Sequence, residues 1–259
     1  MQIVENTAVK LTIPSDKINL ITDYIERSEV ISNDGTLADV LVYWGIEEMQ
    51  HLTKVCPEEI PSPIEKDYSW PGMYTPFKHQ ITTASFLSIR DRAFCFNEAG
   101  TGKTSSVIWS ADYLMSQGLV KRVLVICPLS IMYSAWQADI FKTAMHRSVA
   151  VAYGSAEKRK KIIQGEYEFV IINFDGVEVV ADAIEKANFD LIVVDEANAY
   201  KNAQTNRWKV LNTLVKADTW LWMLTGTPAA QSPVDAYGLA KLVNPQGVPK
   251  FFGSFKDMV

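Results

Sequence analysis

Short apolar runs recur along the chain from about residue 90 onward, and each is followed by a stretch of helical periodicity. This alternation is typical of a parallel sheet with helices on both faces. Several runs, such as FVIIN and LIVVD, are continuously apolar, as in strands buried on both faces. The pattern therefore predicts an α/β fold with a doubly wound parallel sheet, whose strands cover 93–96, 123–127, 149–153, 169–173, 191–194 and 220–224.

The first 70 residues follow a different pattern. VKLTI predicts a strand, SDKINLITDYIER a helix capped by Ser15 or Asp16, and EEMQHLTKV a second short helix. Prolines at 57, 61, 63 and 71 then interrupt the chain. We predict a small α+β accessory module over 1–70 and the α/β domain over 71–259.

Composition and charge narrow the class of protein. With 48% hydrophobic and 21% charged residues, the chain has the balance of a compact globular protein. Its net charge of −5 argues against a wholly electrostatic nucleic-acid binder, although a local basic face remains compatible with it. The three cysteines form no CxxC pair, which argues against a zinc site and for a reducing compartment. With no signal-like N-terminus and no membrane-length apolar run, we expect a cytoplasmic location.

A glycine-rich segment, NEAGTGKT, follows the apolar run AFCF and leads into a helical pattern. Phosphate binding requires glycines, backbone N–H groups at a helix start, a lysine, and a hydroxyl for Mg²⁺. The strict pattern GxxxxGK[ST] would place a glycine where this chain has Asn97. The alternative is a strand-to-helix turn without a ligand. The candidate phosphate-binding residues are Gly100, Thr101, Gly102, Lys103 and Thr104.

Two adjacent carboxylates, Asp195 and Glu196, end the apolar run LIVV. In phosphoryl transfer one acid holds Mg²⁺ while another orients or deprotonates the attacking water. Ligands of open α/β sheets gather at the carboxyl ends of the strands, where this pair is expected. The alternative is a pair that only caps the following turn.

Five segments resemble, in order, motifs I, Ia, Ib, II and III of the first RecA-like lobe of superfamily 2 helicases, and more narrowly of Snf-type double-stranded DNA translocases. They are NEAGTGKT, VLVICPLSIMYSAWQADI, INFD, VVDEANAYKN and LTGTPAAQSPVDAYGLAKLVNP, and the resemblance covers about 74–255. It implies a P-loop NTPase lobe that uses ATP and Mg²⁺ and couples hydrolysis to movement on DNA.

The resemblance implies a role for each matching residue. Lys103 and Thr104 contact phosphate and magnesium, Asp195 binds the metal, and Glu196 activates water. Gln80, in YTPFKHQ, reads adenine, for which its amide has the required donor and acceptor. The residues expected to couple nucleotide to nucleic acid are Asn198, Thr225, Gly226 and Thr227, and those expected to contact the polymer backbone are Pro128, Leu129, Ser130, Asn173 and Phe174.

Other residues near these motifs have plainer interpretations. Trp136 is interpreted as a packing residue, 157–161 (EKRKK) as a solvated helix face with duplex contact as the alternative, and Trp220 and Trp222 as core. The chain also departs from the family pattern. Asn198 stands where a histidine is usual, and Ala-Ala-Gln-Ser over 229–232 replaces the usual Gln-Asn after LTGTP.

No second β/α set follows the motifs within 259 residues, so none of the arginines of a second lobe is present. We expect a chain that binds ATP, hydrolyses it weakly by itself, and works with a C-terminal second RecA-like lobe of the same protein. Its brevity is similar to that of compact phage-encoded members, which would place it in the host cytoplasm. The alternatives are a P-loop enzyme acting on a small molecule and an ATP-gated binding module without catalysis. Duplex DNA is the expected polymer, and RNA stays open.

Overall fold

The computed structural model describes residues 1–97, 100–226 and 233–258. The chain divides into two compact units, which are described separately. One comprises Met1–Ser69 with Ala84–Arg90, and the other comprises Trp70–Thr83 with Asp91–Val259. In the described ranges no helix has the length and apolar character that crossing a membrane requires.

The first unit is built on a four-stranded antiparallel sheet in the order β1-β2-β4-β3. Strand β4 alternates strictly, with Ala38, Val40 and Val42 buried and their neighbours more exposed, as expected for a sheet with one covered face. The strands are β1 Gln2–Val4, β2 Ala8–Pro14, β3 Ser28–Asn33 and β4 Leu37–Tyr43, and the helices are α1 Asn19–Thr22, α2 Ile46–Val55 and α3 Ile64–Asp67. Helix α4, Lys78–Ser88, passes through the boundary between the units.

The helix predicted from SDKINLITDYIER is confirmed only in part, as a 3-10 turn over Ser15–Lys17 followed by a short α-helix. Helix α1 covers only Asn19–Thr22, and neither Ser15 nor Asp16 caps it, because its N-cap position is Ile18; the Ser15 hydroxyl donates to Asn33 Oδ1 at 2.8 Å. Ile21 and Ile25 are both buried. The apolar residues whose spacing suggests a long helix are therefore buried by one short helical turn and the bend that follows it. The strand from VKLTI lies in β2 and the second helix matches α2, so these two predictions are confirmed.

The second unit contains a six-stranded parallel sheet in the order β5-β10-β9-β6-β8-β7, which confirms the predicted doubly wound α/β fold. Each of the six predicted strands is present, with ends shifted by at most two residues. The strands are β5 Arg92–Cys95, β6 Val123–Cys127, β7 Val149–Val151, β8 Phe169–Asn173, β9 Leu191–Val194 and β10 Trp220–Leu224.

Helices connect these strands and cover the sheet. Every residue of β6, β8 and β9 is buried, and side chains such as Ile172, Val194 and Leu211 share one apolar cluster. Trp222 is fully buried as predicted, whereas Trp220 is only half-buried. The helices are α5 Lys103–Ser116, α6 Ala138–Thr143, α7 Ala156–Ile163, α8 Phe174–Val179, α9 Ala181–Ala187, α10 Asn206–Leu214, α11 Tyr237–Val243 and α12 Phe252–Lys256.

Candidate functional site

The carboxyl ends of the parallel strands lie at one edge of the sheet, called here the carboxyl edge. Strand register aligns them: Cys95 pairs with Leu224, and Val194 pairs with both Met223 and Ile126. The segments that follow β5, β6, β9 and β10 therefore meet at this edge. These are the segments in which the sequence places its candidate chemistry.

The glycine-rich loop uses left-handed backbone at two positions. Gly100 has φ +80° and Gly102 has φ +72°, conformations that strain any residue with a Cβ. Helix α5 begins at Lys103, and Gly102 offers no side chain to cap it. The first-turn N–H groups of a helix lack intrahelical partners, so this terminus is suited to receive an anion.

Gln80 closes one side of the loop. Its side chain is buried, its Oε1 accepts from Phe77 N at 2.9 Å, and its Nε2 donates to Gly102 O at 3.2 Å. A carboxamide has two N–H groups and two acceptor lone pairs, so one of each remains. Gln80 thus lies against the loop with hydrogen-bonding capacity for a further group.

Two contacts that the sequence did not predict attach the loop to α4. His79 Nε2 lies 2.9 Å from Thr101 O, and since a carbonyl only accepts, the imidazole donates there. Asn97, which replaces the glycine of the strict pattern, donates through Nδ2 to Thr83 Oγ1 at 2.8 Å. The two bonds join residues that are 22 and 14 positions apart in the sequence. Residue spacing along the chain therefore could not predict them.

The acidic pair follows β9, and its two members have different environments. Asp195 is 5% exposed and its N–H donates to Ile126 O at 2.8 Å, which fixes its main chain to the next strand. Its Oδ1 accepts from Glu196 N at 2.9 Å. Glu196 is exposed at the carboxyl edge with φ +52°, an uncommon backbone conformation for a residue other than glycine. The pair therefore provides one fixed, buried carboxylate and one accessible carboxylate.

The interpretation of Trp136 as a packing residue is incomplete. The ring is fully buried, but its Nε1 also donates to Asp195 Oδ2 at 2.9 Å. Trp136 lies in a π-helical turn, Met132–Gln137, after β6. Turns of this type occur frequently at functional sites. The sequence carried no signal for this bond, because its partners are 59 residues apart.

Two buried thiols lie beneath the site. Burial, and next the charge of Asp195, raise the pKa of Cys127 to about 12. Burial also raises the pKa of Cys95, against the opposing effects of the Asn97 backbone and the Lys103 charge. Both thiols stay protonated near neutral pH and are poor nucleophiles. In the described part of the chain, no group of three or more His, Cys, Asp or Glu side chains is arranged to hold a metal ion.

The segment after β6 presents two of its three predicted polymer contacts to solvent. Leu129 and Ser130 are exposed, and Pro128 is half-buried. Asn173, at the end of β8, is buried and accepts at Oδ1 from Arg159 Nη1 at 2.8 Å. Arg159 also donates to two backbone carbonyls, so the interpretation of 157–161 as a solvated face is wrong for this residue.

Phe174 lies inward rather than outward. Its half-buried ring meets the buried ring of Tyr200 edge-on, with centroids 5.8 Å apart, and Arg207 stacks over it at 5.2 Å. Arg207 is held in turn by Asp175 at 2.7 Å. The segment after β8 is thereby attached to the segment that follows the acidic pair.

The last candidate group follows β10. Thr225 is fully buried and its N–H donates to Cys95 O at 3.1 Å, and a methyl group on Gly226 would lie 3.9 Å from the Asn97 carbonyl oxygen. This strand end therefore borders the start of the glycine-rich loop. Asn198 is half-buried in the turn after the acidic pair. Thr227 and residues 229–232 lie outside the described residues.

Replacing Gly102 with alanine is expected to destabilise the chain more than replacing Gly118. Both glycines have φ above +70°, which costs an alanine about 1–2 kcal/mol. A Cβ at Gly102 would also overlap Gln80 Nε2, whereas a Cβ at Gly118 meets nothing within 4 Å. Displacing the Gln80 amide adds the loss of two hydrogen bonds, about 0.5–1.5 kcal/mol each. Urea unfolding of both variants measures the difference, and equal losses would contradict the contact.

Comparison with known proteins decides the family. Residues 79–258 match the SNF2-related domain. The chain belongs to the SNF2-related domain family. The predicted resemblance to Snf-type members of superfamily 2 is thus confirmed.

Known relatives of this SNF2-related domain extend the comparison. The uncharacterized ATP-dependent helicase YqhH of Bacillus subtilis is 25% identical over 225 residues, which cover 85% of this chain and 38% of YqhH. This alignment is longer than the 79–258 match, so it includes residues of the N-terminal unit. The transcription regulatory protein SNF2 of Saccharomyces cerevisiae is 32% identical over 166 residues, which cover 62% of this chain and 9% of that protein.

A solved structure has a similar fold. The Sulfolobus solfataricus SWI2/SNF2 ATPase core in complex with dsDNA superposes with a TM-score of 0.65 and 25% identity, covering 73% of this chain and 39% of that one. The SNF2-related chain therefore spans less than half the length of YqhH and of this ATPase core.

Proposed function

We propose that this SNF2-related chain is the first, ATP-binding lobe of an ATP-dependent DNA translocase. The observation that carries the proposal is the carboxyl edge itself. A helix N-terminus with two left-handed glycines lies at the same edge as a buried carboxylate and an accessible one. This is the set of groups that phosphoryl transfer requires.

The residues present fit a nucleoside triphosphate with Mg²⁺. The first-turn N–H groups of α5 and the Lys103 ammonium would hold the phosphates, and Gln80 would bind adenine with its remaining donor and acceptor. Thr104 and Asp195 would hold the metal, which requires few protein ligands when phosphates supply others. Bound Mg²⁺ would neutralise charge on the phosphate oxygens.

The accessible carboxylate supplies the remaining chemistry. Glu196 would orient the attacking water and accept its proton, because its carboxylate lies in solvent one residue from the metal ligand. Thr225 and Gly226 would sense the nucleotide, since they border the start of the glycine-rich loop through Cys95 and Asn97. Thr227 and Asn198 are proposed to take part on sequence grounds.

Duplex DNA is the proposed polymer. Leu129 and Ser130 are exposed at the carboxyl edge, and their backbone and hydroxyl groups are suited to contact phosphates without reading sequence. Pro128 and Asn173 would support this track, Asn173 through the amide that Arg159 orients. Phe174 is proposed to act indirectly, by joining the track to Tyr200. The related Sulfolobus solfataricus ATPase core was solved with dsDNA, which supports this choice.

We infer two further points of organisation. Residues 71–259 are proposed as the ATP-binding lobe and 1–70 as an accessory module, in accord with the boundary between compact units near residue 70. A second RecA-like lobe is proposed to complete the site, because the relatives are more than twice as long as the part that this chain matches. We propose a cytoplasmic location.

The polymer dependence of ATP turnover tests this function. The complete protein that carries this chain is assayed with no nucleic acid, duplex DNA, single-stranded DNA or RNA. We expect stimulation chiefly by duplex DNA. Turnover that is indifferent to all polymers would favour an enzyme acting on a small molecule, and stimulation chiefly by RNA would replace the proposed polymer.

A further inference from the structure

The buried indole of Trp136 makes a hydrogen bond to the first residue of the acidic pair. An indole N–H can only donate, so Asp195 Oδ2 is the acceptor in the 2.9 Å bond. Because the acceptor belongs to a carboxylate, the bond is of the charge-assisted type, about twice as strong as a neutral one. The other oxygen, Oδ1, is held by Glu196 N. Each carboxylate oxygen is thus fixed by one donor.

The same carboxylate has no cationic partner from the protein. Across 1–97, 100–226 and 233–258, no lysine, arginine or histidine nitrogen lies within salt-bridge distance of Asp195, although its side chain is buried. Two neutral dipoles orient a buried charge without neutralising it, and buried charges are normally paired or bound to a metal. The carboxylate is therefore oriented for a cation, with a free lone pair on each oxygen.

Trp136 also belongs to a segment with a second proposed role. Its π-helical turn, Met132–Gln137, directly follows the short helical turn Leu129–Ile131, which contains proposed polymer contacts. The ring reaches from this segment to the carboxylate that follows β9. One hydrogen bond therefore joins the polymer-facing segment to the proposed metal ligand.

We propose that Trp136 is a positioning residue for Mg²⁺, whose indole N–H holds Asp195 in the orientation that ligates the metal of a bound nucleotide. This inference rests on the proposed function. Without this donor the carboxylate is held by Glu196 N alone and its orientation is less fixed, so the metal binds more weakly while the contacts to base and phosphate persist. Loss of such an outer partner typically costs 10- to 100-fold in metal affinity.

The test uses Trp136→Phe, which keeps an aromatic ring and removes the N–H. Its matched control is Trp208→Phe, which loses a similarly buried indole bond at 2.8 Å, but to the Gly238 carbonyl. The affinity of the chain for the non-hydrolysable ATP analogue AMP-PNP is measured by calorimetry across a Mg²⁺ titration. We expect Trp136→Phe to raise the half-maximal Mg²⁺ concentration about 10- to 100-fold with unchanged Mg²⁺-free affinity, and Trp208→Phe to leave both unchanged.

The outcomes separate this inference from the proposed function. If the wild-type chain fails to bind AMP-PNP at any Mg²⁺ concentration, the proposed function is wrong. If the wild-type chain binds it and Trp136→Phe shows the wild-type Mg²⁺ dependence, the role of Trp136 is overturned.

A second measurement needs no substitution, should Trp136→Phe fail to fold. The wild-type chain has seven tryptophans, so the assigned indole N–H resonance of Trp136 is followed by NMR. It is expected to shift when Mg²⁺ is added to the AMP-PNP-bound chain. An unmoved resonance would overturn the proposal.

Discussion

Replacing Lys103 with alanine is expected to weaken binding of Mg²⁺-ATP about 10- to 100-fold and to abolish measurable turnover. Lys103 is the first residue of α5 and follows Gly102, whose φ is positive. Its positive charge opposes the rise that burial causes in the pKa of the Cys95 thiol beneath the site. A hydrogen bond to a charged group contributes about 1.5–3 kcal/mol, which corresponds to this range of affinity. Calorimetric titration with AMP-PNP and Mg²⁺ measures the loss in affinity.

The matched control for this change is Lys209→Ala, which removes an exposed lysine of α10 that belongs to none of the candidate site segments. Its affinity for the nucleotide is expected to equal that of the wild type, and both variants are expected to retain the wild-type unfolding midpoint. Wild-type affinity in a folded Lys103→Ala chain would show that the glycine-rich loop does not hold phosphate.

Replacing Glu196 with glutamine is expected to separate binding from hydrolysis. Glutamine keeps the size and the acceptor oxygen of the side chain but does not take a proton from water at neutral pH. General-base catalysis contributes about 10²- to 10⁴-fold, so duplex-stimulated turnover by the complete protein is expected to fall by that factor. Nucleotide affinity is expected to stay near the wild-type value, because Glu196 is not a proposed phosphate or metal ligand.

Glu185→Gln provides the comparison, since Glu185 is an exposed glutamate on α9. It should leave turnover unchanged. If Glu196→Gln turned over ATP within twofold of the wild type, another group would have to activate the water. A parallel fall in affinity would instead assign Glu196 to binding.

The parallel sheet was predictable because its central strands β6, β8 and β9 are buried on both faces and have nearly unbroken apolar sequences. The ends of the strands were less predictable. The apolar run over 149–153 forms a strand only as far as Val151, because the chain turns there and the Tyr153 N–H donates to the Val151 carbonyl. The antiparallel sheet was mostly missed. Strand β3 buries almost nothing, so its sequence carries little periodic signal, and its place is set by pairing with β4.

The sequence predicts which residues form the candidate site, but it does not predict the contacts between them. Glycines, a lysine and adjacent carboxylates have recognisable spacing, and parallel strands bring their carboxyl ends together. The bonds that His79, Asn97 and Trp136 donate depend on side-chain directions between distant segments. The sequence position of Phe174 suggests a polymer contact, but its ring packs against Tyr200.

Displacement of a triplex-forming strand measures ATP-driven movement on duplex DNA. The complete protein is mixed with a DNA duplex that carries a labelled third strand at one end, and release of the label is followed over time. We predict release that requires ATP, stops with AMP-PNP and is lost in Lys103→Ala. Duplex-stimulated ATP hydrolysis without release of the third strand would contradict translocation.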